Sequence, residues 1–180
     1  MKGMSRITCL LLLVLFFSGC GKEKEIPLSG SITLSSELVL SGQYITRGFS
    51  FSEASFQNFP GTAPARVDLL AFSTRDLAGN IQGAGLVSPS NEDTAFWLAA
   101  GFDNLTEAKV FYDQLDTVPE AQFLPFVEEL HPGEIWIIHT GAGKFAKILI
   151  HDVRVIDDPE GDYAEIDLSW AFQPNGTRIF

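Results

Sequence analysis

The sequence predicts a mainly β domain, a β-sandwich or jelly-roll-like fold with one or two short helices. Three observations predict it. Apolar residues recur with a period of two through much of the chain after Ser31, as half-buried strands require. Clusters of Gly, Pro, Ser and Asn cut these runs into short lengths. The 180 residues include 46% hydrophobic and 19% charged side chains, 16 Gly and 9 Pro, which suits one globular domain and excludes collagen-like, coiled-coil or wholly disordered chains.

The elements follow in chain order, with no internal repeat or low-complexity tract. Ile32, Leu34, Leu38 and Leu40 are interleaved with Thr33, Ser35 and Val39, and after a turn signal at Ser41-Gly42, Phe49 and Phe51 alternate with Ser50 and Ser52. Shorter apolar runs occupy 67–73 and 95–100. Asn104 and Glu107 have the spacing of a capping box, and Leu105, Ala108, Phe111, Tyr112 and Leu115 follow at helical spacing, so a helix is expected over 105–115. Residues 121–130 read as a weaker helical turn or two, with Pro125 in the first turn. The stretches 134–140 and 145–156, joined by Gly141-Ala142-Gly143-Lys144, predict a β-hairpin with Thr140 opposite Phe145. A last strand over 163–172 follows the turn Asp157-Asp158-Pro159-Glu160-Gly161-Asp162.

The N-terminus reads as an address. Lys2 and Arg6 precede an apolar run over 7–17, too short for a permanent membrane span but suited to the core of a secretory signal. The run ends in Phe17-Ser18-Gly19-Cys20, which resembles the lipobox of bacterial lipoproteins, with Phe17 where Leu is usual. That resemblance implies cleavage after residue 19, acylation (palmitate among the chains) of Cys20, and anchorage in the bacterial cell envelope. With Gly21 and not Asp after the cysteine, it implies the outer membrane. An ordinary signal peptide that happens to contain Cys20 is the alternative. The expected division is a signal over 1–19, a lipidated tether over 20–30 and one β domain over 31–180.

The charge and cysteine counts narrow the function classes. Only Cys9 and Cys20 are present, so a domain that starts after the leader has no internal disulfide and depends on its core. The formal charge is -11, and loss of Lys2 and Arg6 with the leader takes it to -13. Such a surface repels phosphate backbones, so nucleic acid is not an expected partner. The partners expected are the membrane, through the lipid, and an envelope protein or a small ligand.

Candidate sites are few. Gly141-Ala142-Gly143-Lys144 is not a phosphate loop, since Ile138 and Phe145 stand where that motif needs Gly and Ser or Thr. There is no G-x-S-x-G elbow, and the candidate bases are His131, His139 and His151. His131, before Pro132-Gly133, reads as a turn residue. The expected hairpin register sets His139 opposite Ala146 and His151 opposite Glu134, on opposite faces, so the two meet only through a bulge. Asp157, Asp158, Glu160 and Asp162 could supply oxygen ligands to Ca²⁺, or simply form a polar hairpin turn. Alternating Phe residues read as core, whereas Trp97, Trp136 and Trp170, with His139 and His151, are candidate ligand-binding residues. With no acid/base or nucleophile constellation, a non-enzymatic role is expected.

The stretch Ile135-Trp136-Ile137-Ile138-His139-Thr140 with Gly143-Lys144-Phe145-Ala146-Lys147-Ile148 resembles the C-terminal hairpin of haem-binding surface lipoproteins of the HmuY type. Phe145 replaces the Tyr of that family's K-Y-A-K-I strand. The resemblance covers about 20 residues and implies a lipid-anchored binding module, with haem as the family's ligand. The family's haem ligands are histidines well before this hairpin, where this chain has none, and a His/Met axial pair is ruled out because both Met residues lie in the leader. The competing expectation is a structural or assembly lipoprotein without a small ligand.

Overall fold

The computed structural model describes residues 26–39, 46–60 and 67–180. The expected signal peptide with Cys9, the expected lipid-attachment position Cys20 and Leu40 lie outside them. Ten strands and one helix follow along the described residues: β1 (Ser29–Ser35), β2 (Thr46–Ser50), β3 (Ser55–Phe59), β4 (Leu70–Arg75), β5 (Ile81–Val87), β6 (Phe96–Ala100), α1 (Leu105–Gln114), β7 (Phe126–Val127), β8 (Ile135–His139), β9 (Phe145–Ile156) and β10 (Tyr163–Gln173). All pairings are antiparallel. One sheet has the order β1-β10-β9-β8-β6; β4-β5-β7 and the β2-β3 hairpin form two smaller sheets.

The period of two explains how they pack. Along β9 and β10 the residues Ala146, Ile148, Ile150, Ile166, Leu168, Trp170 and Phe172 are buried, and they meet Phe49, Phe51, Leu69, Leu86 and Phe96 in one core. Mainly β architecture with a buried layer between sheets is the sandwich expected. Aromatic rings set the core's geometry: Phe49 meets Phe51 edge-on at 5.6 Å, and Phe51 stacks on Phe172 at 6.0 Å.

The other face of the large sheet is divided. Asn104 caps α1 by accepting from the Thr106 amide at 2.8 Å, and Ala108 and Tyr112 then cover Ile135 and Leu149. Val118, with Phe123 and Phe180, covers Ile137 and Phe145. Lys147 emerges among these apolar groups, and its ammonium donates to the Tyr112 and Leu115 carbonyls at 2.8 and 2.6 Å. These are orphan carbonyls at the end of α1, so the cation closes the helix. Over the rest of this face, Ser31, Thr33, Arg154, Asp167 and Ser169 form an open polar surface.

Four expectations are corrected. Residues 121–130 are extended and not helical, because Pro125 disfavours helical geometry at Leu124 and the Leu124 backbone instead pairs with Phe96. β1 begins at Ser29, two residues inside the expected tether, and Gly30 packs on the Trp170 ring. Strands β3, β5 and β7 were not anticipated. The β8-β9 loop has three residues, not four: Gly143 takes φ +70° and Thr140 pairs through its backbone with Lys144. The register therefore shifts by one, setting His139 opposite Phe145 and placing His139 and His151 on the same face, not opposite faces. They still do not meet, since His151 lies about 20 Å further along β9.

Candidate functional site

Concavities open on the sandwich among the described residues. One, of about 910 Å³, lies where the β9-β10 turn approaches the chain after β1 and the outer side of β4. Leu38, Val39, Phe59, Leu70, Phe72 and Tyr163 contribute apolar walls, and the charged residues among the described lining are Glu37, Asp158, Glu160, Asp162 and Arg75. Leu38 is 66% exposed where it lines this cleft. Burial and then the carboxylates of Glu165, Glu37 and Asp158 hold the Tyr163 hydroxyl above its ordinary range, the mark of a negative field in this region.

The acidic turn is thus part of a cleft wall. Asp158 accepts from the Glu160 amide at 2.8 Å, a local turn contact, while Asp157 does not line the cleft. Among the described residues no group of three or more His, Cys, Asp or Glu side chains is arranged to hold a metal ion.

At the opposite end of β9 lies a groove of about 530 Å³ lined by Asp93, His139, Phe145 and Arg178 together with residues 121–125, Phe123 among them. The His139 ring stacks on Phe145 at 4.9 Å and 19°, a contact created by the one-residue register shift. Asn91 braces the backbone at His139. Its amide nitrogen donates to the carbonyls of Thr94 and His139 at 2.9 and 2.8 Å and stands 3.4 Å from the ring's Nδ1. A further concavity, about 260 Å³, is lined by Ile26, Leu28, Lys144, Phe172 and the buried Asp68. Asp68 accepts from the Phe51 amide and the Ser90 hydroxyl and so ties loops together.

On the open sheet face, His151 Nε2 lies 2.7 Å from the Ser169 hydroxyl, which also meets the Ser31 hydroxyl at 3.0 Å. A serine beside a histidine is the first requirement of a nucleophile and base. The described residues place no carboxylate in hydrogen-bond contact with this ring and no concavity over the pair. The nearest charge cluster is instead structural: Arg154 bonds Asp152, Glu165 and Asp167, and Thr33 donates to Asp167 at 2.5 Å.

The tryptophans are distributed through the packing. Trp136 is 5% exposed with its Nε1 on Glu134 at 3.0 Å, and Trp170 is 3% exposed with its Nε1 buried against Gly30, so neither ring offers an open platform. Trp97 is half-buried against the Val118, Ile137 and Phe145 cluster. The residues singled out from the sequence therefore do not converge on one site. Glu37, Tyr163 and Arg178 were missed because each reaches its concavity through contacts between residues distant in the chain. Compared with known protein families and with curated proteins, the chain matches none.

Proposed function

We propose that this protein is a lipid-anchored, non-enzymatic binding module of the bacterial envelope, and that its ligand is an apolar cation held in the 910 Å³ cleft. The cleft carries the reading: its volume is that of a small-molecule site, apolar side chains contribute to its walls, and among the described residues four carboxylates and one guanidinium line it. Negative charge beside low-dielectric walls concentrates cations and repels anions. The envelope anchor rests on the lipobox-like sequence ending at Cys20. The haem implied by the hairpin resemblance does not fit a histidine pair in this chain. His131 is held at its turn by Glu134, His139 stacks on Phe145, His151 bonds Ser169, and none lines the cleft.

The test compares tetraphenylphosphonium with the near-isosteric anion tetraphenylborate on the detergent-solubilised full chain. Saturable binding of the cation, about tenfold or more tighter than the anion and weakened by a combined D158N/E160Q/D162N variant, is expected. Equal binding of both ions, or of neither, would leave the structural or assembly role as the better account. Radiolabelled palmitate should enter the wild-type chain in bacteria and be absent from Cys20→Ser.

A further inference from the structure

We propose that the groove beside the β8-β9 turn is a second binding site, for a planar aromatic ligand that carries one carboxylate. It is distinct from the cleft, since the two lie at opposite ends of the twelve-residue strand β9, about 35 Å apart along the strand.

The floor is aromatic. His139 lies flat on Phe145, and Phe123 stands 5.9 and 6.4 Å from the two rings, so the groove offers ring faces and edges to a planar guest. Donors lie at its border. The Arg178 guanidinium sits 5.6 Å from the centre of the Phe145 ring, and its Nη1 donates to the Pro119 carbonyl at 2.7 Å. Among the described residues no carboxylate pairs with Arg178, although the chain has 23 Asp and Glu against 12 Lys and Arg. A guanidinium held by a ring and one carbonyl, with its remaining donors uncommitted, is suited to a carboxylate. The His139 imidazole, which carries at least one ring N–H, lines the same groove and adds a second donor. Asp93, also at the border, disfavours a second negative charge on the guest. About 530 Å³ accommodates one ring with a short acidic side chain.

The probes are 3-phenylpropionate and its neutral amide, titrated into the detergent-solubilised full chain and followed by the NMR signals of the His139 ring and the Phe145 amide. The acid should produce saturable shifts at both positions and bind about tenfold more tightly than the amide. Arg178→Met should weaken the acid about tenfold, and His139→Phe, which keeps a stacked ring but removes the donor, should weaken it severalfold. Circular dichroism melting checks each variant's fold, and if Arg178→Met fails to fold, His139→Phe decides. Tetraphenylphosphonium binding at the cleft should be unchanged in both, so failure at one site is distinguishable from failure at the other. No saturable shift, equal binding of acid and amide, or full-strength acid binding by the folded variants would overturn the assignment.

Discussion

Lys147 is 7% exposed on a strand whose neighbours are apolar, yet it makes its hydrogen bonds: two carbonyls at the end of α1 accept from it, and the Tyr112 and Phe180 rings lie 4.8 and 5.1 Å from it. Burial pulls its pKa down, partly opposed by Asp113 and Asp116. Because the folded value lies below the unfolded one, the unfolded chain holds the proton more tightly, and this group's contribution to stability rises with alkaline pH. Lys147→Met keeps the apolar stem and removes the donor, leaving the Tyr112 and Leu115 carbonyls without it. A loss of about 1–3 kcal/mol is expected, seen as a Tm lower by roughly 3–10 °C and faster amide exchange in the last turn of α1. An unchanged Tm would mean that solvent satisfies those carbonyls as well as the lysine does. Nothing in the alternating run 145–150 marks Lys147 as a helix cap, because its partners are 32 and 35 residues away.

At the scale of elements, what the sequence shows is periodicity, and what it hides is compensation between strands. β8 and β9 stand out because Ile and Val recur along them, and β10 because Ala164, Ile166, Leu168, Trp170 and Phe172 alternate with partly exposed residues. β5 reads Ile-Gln-Gly-Ala-Gly-Leu-Val, and its glycines lower strand propensity; they are there because Gly85 faces Phe72. A Cβ at Gly85 would stand 2.3 Å from both the Phe72 ring and the Val127 carbonyl oxygen. Gly85→Val should therefore destabilise by about 3 kcal/mol or more, measured by urea unfolding, while Gly79→Ala in the neighbouring turn costs less because only its positive φ is strained. Similar losses from both would mean that the strand shifts to make room. The β8-β9 turn teaches a related lesson: Gly141-Ala142-Gly143-Lys144 announces a hairpin, but whether three or four residues form the loop depends on which glycine takes the left-handed conformation. Gly143 does, and the stacked His139-Phe145 pair follows from that one residue.

For the whole molecule, a net charge of -11 makes acid behaviour informative. Arg154, bonded by three carboxylates, and the Thr33 hydroxyl hold the Asp167 carboxyl below its ordinary range. Asn80, through its side chain and then its backbone amide, does the same for Asp76 in the β4-β5 turn. Since the folded values lie below the unfolded ones, the stabilisation is complete above the unfolded carboxylate range and is lost as pH falls through the folded values. Below about pH 4 the wild-type Tm should fall more steeply than that of Asp167→Asn, with the two curves converging at the most acid pH. Parallel curves would show that Arg154 is equally content with Asp152 and Glu165 alone.

By itself the sequence determined the mainly β fold class, the strong hairpin and a helix expected over 105–115 and found at Leu105–Gln114, because each depends on residues within a few positions of one another. Only the tertiary structure decided which residues line a site. The cleft joins Glu37 to Asp158, and the groove joins Asp93 and His139 to Arg178, residues far apart in the chain. Strand pairing sets such neighbours, and pairing depends on turn conformation and packing that no local pattern encodes.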